Sequence, residues 1–362
     1  MSSTEDIAGM VKNALEEAIR ERGQVTVLIA GRTGVGKSTL INAIFQGKMA
    51  DTGQGRPVTS CTREITKEGI PLAIWDTRGL EMAAYKERVA ELENLVVSRS
   101  RESDPKKHIH VAWLCIHEDG RRVEEAEVAL HDTLAKYMPV IGVITKARAD
   151  QGFKAEVQKL LPQTRNVVRV RALAEELDEG HSLAAMGLEE LVELTSEVIP
   201  ESFRRAFAAA QKASVQEKKN VAHGVVATSA IAAAAAGASP IPFSDAVILV
   251  PIQIGMLAGI SSTFGLQLST AVLSTLVAAA AGATGATFAG RAIVSNLLKL
   301  FPGAGSVVGG TISAATAAAL TTTLGEIYIA TLVALFSDTG GEPPSSDDVT
   351  REFKKRLGKK NA

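Results

Sequence analysis

The chain has 362 residues, 46% of them hydrophobic, enough for about two domains with buried cores of their own. Its 39 Lys and Arg against 40 Asp and Glu leave a net charge of −1, which excludes a global attraction to nucleic acid or to an anionic membrane. Two cysteines, Cys61 and Cys115, stand far apart without a CxxC partner, which argues for a reducing compartment and against a disulfide scaffold.

Residues 6–22 are charged and helix-patterned with no long apolar core, so 1–22 reads as an N-terminal helix and not as a signal peptide. Between 23 and 200, apolar strand-like runs at 24–31, 70–77, 110–117, 140–146 and 167–171 alternate with amphipathic stretches at 37–46, 83–98, 123–137, 153–161 and 188–198. That rhythm predicts an α/β domain, a mostly parallel sheet with helices on both faces. His108 and His110 alternate as strand neighbours do, and no Cys or His set at ligand spacing accompanies them; strand positions explain them better than a metal site. The charged stretch 201–220 reads as a helical linker.

From 221 to 336 Ala, Gly, Ser, Thr and Val dominate, and Asp245, Arg291, Lys299 and Glu326 are the formal charges between Asn220 and Asp338. Such runs are too long for strands and predict an all-α apolar domain. The prolines of 239–245 stop one helix, and Ser244 or Asp245 can cap the next. Pro-Ile-Pro-Phe at 240–243 reads as a turn between helices rather than a ligand loop, and 301–305 is a second break. Residues 337–362 read as a flexible tail that ends in a basic cluster from Arg351 to Lys360, solvated rather than lipid-bound.

Residues 31–38, Gly-Arg-Thr-Gly-Val-Gly-Lys-Ser, fit GxxxxGK(S/T) in full, after an apolar strand and before a helix opened by Thr39. Glycines let the backbone wrap closely around phosphates with N–H groups pointing inward, and the helix N-terminus adds partial positive charge. Gly31, Arg32, Thr33, Gly34, Val35, Gly36, Lys37, Ser38 and Thr39 are thus expected to line a nucleoside triphosphate. Lys37 would neutralise its β- and γ-phosphates, and the Ser38 hydroxyl would ligate Mg²⁺. Asp76-Thr-Arg-Gly79 ends the next apolar strand: Asp76 can hold Mg²⁺ and the Gly79 N–H can reach the γ-phosphate. Between them, the polar, Gly-rich 53–62 would carry a threonine to Mg²⁺ and the γ-phosphate, with Thr59 the first choice and Thr62 the second. Lys37, Thr59 and Gly79 form the expected catalytic set, and Ser38, Thr59 and Asp76 the metal set.

In that order the P-loop, Pro57-x-Thr59, Asp76-Thr-Arg-Gly-Leu80 and Thr145-Lys146 resemble the Era/septin-like branch of the translation-factor-related P-loop GTPases, over roughly 24–200. The resemblance implies binding of GTP and GDP with Mg²⁺ on a Ras-like sheet. Residues 239–256 resemble a bacterial domain of unknown function often fused behind such GTPases, which extends the likeness to about 336.

Three positions depart from the family pattern. Its base-reading motif is (N/T)KxD, and here Thr145 and Lys146 are followed by Ala147 and Arg148. A carboxylate would accept two hydrogen bonds from guanine, and an arginine accepts none. Asp150, two positions on, is a substitute if the loop bulges, and the Ala172 N–H can still meet the base oxygen. Leu80 stands where Ras-like enzymes orient water with Gln, which predicts slow hydrolysis unless a partner supplies a group. Gly34 occupies the position where potassium-activated relatives carry Asn, which weakens the case for potassium activation.

The preferred reading is a regulatory GTPase whose nucleotide state is coupled to an apolar helical output domain at a membrane. The G domain would be cytoplasmic, at the inner face of a bacterial membrane, with a soluble cytoplasmic protein as the alternative. Segments of about 20 uncharged residues are long enough to span, and Gly282, Gly285 and Gly290 would let helices pack closely in lipid. Against that, Ala, Gly, Ser and Thr insert weakly, and Pro251 and Glu326 interrupt the runs, so a soluble bundle competes. An activating protein and a homo-oligomer are both compatible with the sequence. An Era-like RNA- or ribosome-associated GTPase and a non-enzymatic scaffold with a vestigial nucleotide site are the other readings. RNA is disfavoured, because no basic RNA-binding module is found.

Overall fold

Strand β1 (Val25–Gly31) is buried along its whole length, as a strand with helices on both faces must be. It pairs in parallel with β3 (Ile70–Asp76) on one side and with β4 (Val111–His117) on the other. Beyond β4 lie β5 (Val140–Thr145) and β6 (Val167–Val170), also parallel. An antiparallel strand, β2 (Arg63–Lys67), completes the order β2-β3-β1-β4-β5-β6. The computed structural model describes residues 3–50, 62–77, 85–237, 245–280 and 313–360. The expected turn at 240–243, the break at 301–305 and Gly282, Gly285 and Gly290 lie outside them.

Alternate β1 side chains serve opposite faces. Val27 and Ile29 pack with Leu40 and Ile41 of α2 (Lys37–Ile44), with Leu191 and Val192 of α6 (Leu188–Val198) and with Phe203 and Phe207 of α7 (Glu201–Ala210). Leu28 and Ala30 pack with Leu92 and Val96 of α3 (Tyr85–Ser100), Leu130 of α4 (Glu125–Leu134) and Val157 of α5 (Phe153–Leu160). This is the mostly parallel sheet with helices on both faces that the strand–helix rhythm predicts, in the Ras-like form that the family resemblance implies. A short hairpin of β7 (Glu175–Glu176) and β8 (Ser182–Leu183) follows β6.

Two stretches differ from the expectation. The 201–220 stretch, expected to be a helical linker, is helical, but its first part is a packed helix: it is α7, whose Phe203, Ala206, Phe207 and Ala210 recur at helical spacing and are buried. The Gln46 N–H donates to the Ala210 carbonyl at 2.9 Å and the Lys212 N–H to the Ile44 carbonyl at 2.7 Å. His108 and His110 precede β4 rather than lying on it. The Thr26 N–H donates to His110 Nδ1 at 2.9 Å, and His110 Nε2 lies 3.1 Å from the Pro105 carbonyl. Burial drives the pKa of this imidazole down to about 4.

The chain divides into two compact units, Gly23–Ser214 and a second made of Met1–Arg22 with Val215–Ala362. The second is helical: α1 (Ser3–Arg22), α8 (Val215–Gly237), α9 (Asp245–Phe264), α10 (Thr270–Ala280), α11 (Ala314–Asp338) and α12 (Ser346–Lys360). Pro251 is accommodated inside α9. Phe264 and Phe336 meet at 5.2 Å and Tyr328 and Phe353 edge-to-face at 5.3 Å. The expected flexible tail is therefore in part a core element. Val349, Phe353 and Leu357, four apart on one face of α12, are buried in this cluster. Val11 and Ala18 of α1 join the same core.

Candidate nucleotide site

The sheet order makes β1 the strand from which connections leave in opposite directions, and ligands bind at the carboxyl ends of strands at such a switch point. There β1 ends at Gly31, where any side chain is excluded: a Cβ would stand 2.4 Å from the Cys115 carbonyl oxygen of β4. The loop turns through Gly34 and Gly36, at φ 76° and 102°, left-handed values that suit glycine. Gly36 caps α2 with its backbone alone. The N–H groups of Lys37, Ser38 and Thr39 open α2 and have no intrahelical acceptor.

Lys37 is not on the solvent side of this loop. It is 8% exposed, and its Nζ donates to the carbonyls of Gly31 at 3.0 Å and Arg32 at 3.2 Å. Burial lowers its pKa, opposed by Cys115 and Asp76 nearby. The ammonium thus spans the mouth of its own loop, at the place a phosphate needs a cation. Asp76 is fully buried at the end of β3, and the Thr77 N–H donates to the Ile29 carbonyl at 3.1 Å, which fixes that strand end against β1. Ser38 and Thr39 are half-buried on the first turn of α2, Arg32, Thr33 and Gly34 are exposed, and Val35 is buried. Arg32 reaches Glu124 at 3.4 Å. The donor set fits a magnesium nucleotide: a glycine-turned loop that runs into a helix N-terminus, a buried ammonium, a hydroxyl and a buried carboxylate. When bound, Mg²⁺ would supply charge neutralisation between the phosphates, with Ser38 and Asp76 to hold it. Thr62 is exposed next to β2, while Thr59, Gly79 and Leu80 lie outside the described residues.

The loop after β5 is built on the P-loop. Thr145 Oγ1 donates to the Val35 carbonyl at 2.6 Å and lies 3.1 Å from the Ile116 carbonyl. Lys146 is left-handed at φ 54° and exposed, and a Cβ on Gly36 would stand 4.0 Å from its Cε, so its stem overlies the P-loop. The Ala147 N–H donates to the Val170 carbonyl at 3.1 Å. Ala172 is half-buried just beyond β6.

Two residues that sequence reasoning passed over organise this wall. Glu118 is 2% exposed and accepts from the Ala149 N–H at 3.0 Å, from the Arg148 N–H, and from Arg169 Nε at 2.7 Å. Burial pushes its carboxyl up, but the bonds from Arg169, Arg148 and Ala149 hold it below the ordinary value. Glu175 takes both sides of the Arg148 guanidinium, Nε to Oε2 at 2.9 Å and the Arg148 terminal nitrogen to Oε1. Asp150, the sequence's substitute for the absent carboxylate, caps the start of α5: its Oδ1 accepts the Lys154 N–H at 2.8 Å and lies 3.6 Å from Arg169 Nε. A sequence signal existed for Glu175, since an arginine where a carboxylate is expected calls for a counter-charge nearby.

Residues 26–146 match the family described as 50S ribosome-binding GTPase, and residues 204–357 match the Domain of unknown function (DUF697). The tRNA modification GTPase MnmE of Cupriavidus metallidurans is 31% identical over 152 residues, 39% of this chain and 30% of that protein. The protein of the same name from Geobacillus thermodenitrificans is 29% identical over 174 residues, 47% of this chain and 35% of that protein. The chain thus spans about a third of the length of these curated relatives. Among solved structures, a point variant of Aquifex aeolicus Era bound to GDP·AlF4⁻ aligns with a TM-score of 0.35 and 20% identity, covering 57% of this chain and 66% of that chain.

Proposed function

We propose that this chain, a P-loop GTPase domain joined to a helical domain of unknown function, is a slow GTP-hydrolysing switch whose helical unit works at a lipid surface. The observation that carries the reading is the site itself: the glycine-turned loop, Lys37 across its mouth and Asp76 buried at the adjoining strand end. Triphosphate would draw Lys37 off the Gly31 and Arg32 carbonyls and onto the β- and γ-phosphates, with Ser38 and Asp76 at Mg²⁺. Leu80, which cannot polarise water, keeps unassisted turnover slow, and an activating protein is the expected source of a missing group.

The lipid-surface part is supported by α8 and α11, both long and apolar enough to cross a membrane. Their surroundings differ: 22% of the most apolar stretch of α8 is buried in the protein, against 56% for α11. On this reading the G domain works on the cytoplasmic side of a bacterial membrane. A soluble bundle is the second reading, favoured by the aromatic core that α12 completes.

One experiment tests both parts. The purified full chain is incubated with Mg²⁺ and GTP, with and without phospholipid vesicles, then floated on a density gradient. The expected turnover is on the order of 10⁻⁴–10⁻³ s⁻¹, with the chain in the vesicle fraction. Turnover of several per second without a partner contradicts the slow switch, and a chain that stays with the soluble fraction selects the bundle.

A further inference from the structure

We infer that Glu175 selects guanine: its carboxylate takes the part of the aspartate absent from position 148, and Arg148 holds it there. This rests on the guanine-nucleotide reading above and adds the group that reads the base.

The base-reading loop is intact in everything except that side chain. Thr145 ties it to Val35, Lys146 lies over Gly36, and Glu118 fixes the Arg148 and Ala149 N–H groups. Guanine offers two donors, its N1–H and its 2-amino group, and asks for a group that only accepts. A guanidinium has five N–H donors and no acceptor, so Arg148 alone would meet donors with donors. In the structure two of those five donors are engaged by Glu175, in a two-bond fork through Nε and a terminal nitrogen that turns this edge of the guanidinium onto the carboxylate. A carboxylate has about four lone-pair sites. The fork uses two and leaves the outer ones for a second partner.

Glu175 is also in the right place. It lies three residues beyond Ala172, whose N–H is the expected donor to the base oxygen, on the same stretch after β6. The β7–β8 pairing of Glu175 with Leu183 fixes its backbone. Its side chain is 32% exposed and so remains reachable. The positive charges of Arg148, Arg171 and Lys146 act on it and keep it ionised. Two other nearby carboxylates are committed elsewhere: Asp150 to the start of α5, and Glu118 to the loop backbone and Arg169.

Glu175→Gln tests this by a change of preference rather than a loss. A glutamine amide offers one acceptor and one donor. Xanthine keeps the N1–H but carries a carbonyl where guanine carries its amino group, so the amide complements xanthine and the carboxylate complements guanine. The full chain, with Mg²⁺ and a fluorescent GTP analogue, is titrated with GTP, XTP and ATP as competitors. Wild type is expected to prefer GTP over both. Glu175→Gln should lower the GTP-to-XTP affinity ratio at least tenfold, with XTP binding tighter than it binds wild type. Arg148→Gln frees the carboxylate without removing it and should lower the ratio by a smaller factor; Glu176→Gln, on the exposed neighbour, should leave it unchanged. Because Glu175 is not in a core, Glu175→Gln should fold, and Arg148→Gln decides the same question if it does not. Ratios unchanged in both variants mark a surface ion pair with no part in base reading and overturn the proposal, while a wild-type preference for GTP leaves the guanine reading standing. A wild type that binds ATP as tightly as GTP overturns both.

Discussion

In the unit spanning Gly23–Ser214 the interior is built from large side chains, with Phe45 stacked on Trp113 at 5.7 Å and edge-on to Phe207 at 6.2 Å. In the helical unit α8 meets α9 and α11 through small residues. A Cβ on Gly325 would stand 2.6 Å from Val226 Cγ2, and one on Gly259 would stand 2.9 Å from Val225 Cγ1. Large side chains set against charged positions give a sequence a sharp periodicity. Small residues let helix backbones approach closely, but leave a run that reads as uniformly apolar. Such a composition suits a protein core and a lipid surface alike, and the two are told apart only by what covers each helix.

The largest effect that would sharpen this contrast is at α12. If Phe353 is a core residue of the helical unit, Phe353→Ala should cost about 3–5 kcal/mol. A solvated tail would give a value near zero. Denaturant unfolding of the full chain followed by far-UV circular dichroism separates the two.

The next tests the other unit through His110. Its folded pKa, about 4, lies below the 6.5 of the free side chain because burial disfavours the charged form. Below pH 6.5 the unfolded chain therefore binds the proton more readily than the folded one. Stability is full above that pH and falls as the pH drops toward 4, by about 3 kcal/mol over the whole window. His110→Asn should flatten this part of the profile, read from urea midpoints at pH 7, 6 and 5. A variant whose midpoints fall as steeply as wild type would contradict a neutral buried imidazole.

The smallest expected effect concerns the glycine contact itself. Gly325→Ala gains about 1 kcal/mol of helix propensity but forces a methyl group onto Val226, which costs about 1–3 kcal/mol. The net is a loss of about 1 kcal/mol, measured by the same unfolding curves. A stabilised variant would mean that α8 and α11 do not pack this closely.

How much the sequence discloses follows the same division. The five parallel strands are legible because each is an apolar run bounded by turn residues. β2 is not, because Arg63–Lys67 carries one apolar residue, Ile65, among charged and polar ones at a sheet edge. α7 reads as a linker because its adjacent arginines, Arg204 and Arg205, mask an apolar face of Phe and Ala. α12 reads as a basic tail for the same reason, its three buried residues diluted by lysines. In the site, the loop from Gly31 to Ser38, Asp76, Thr145 and Lys146 are legible from local motifs. Glu118 is not, because its contacts reach across 30 residues of chain that no spacing rule encodes, and Glu175 is signalled only indirectly: Arg148 calls for a counter-charge, but nothing in the spacing says that it comes from 27 residues on.

The central claim is that the Gly31–Ser38 loop binds a triphosphate through Lys37, and Lys37→Met tests it most directly. Methionine keeps much of the buried stem and removes only the ammonium, so the fold should survive, with an unchanged far-UV spectrum. Titration of a fluorescent GTP analogue into both proteins with Mg²⁺ should show affinity weakened at least a hundredfold in the variant, about 2.8 kcal/mol. Equal affinity in the two proteins would contradict the account.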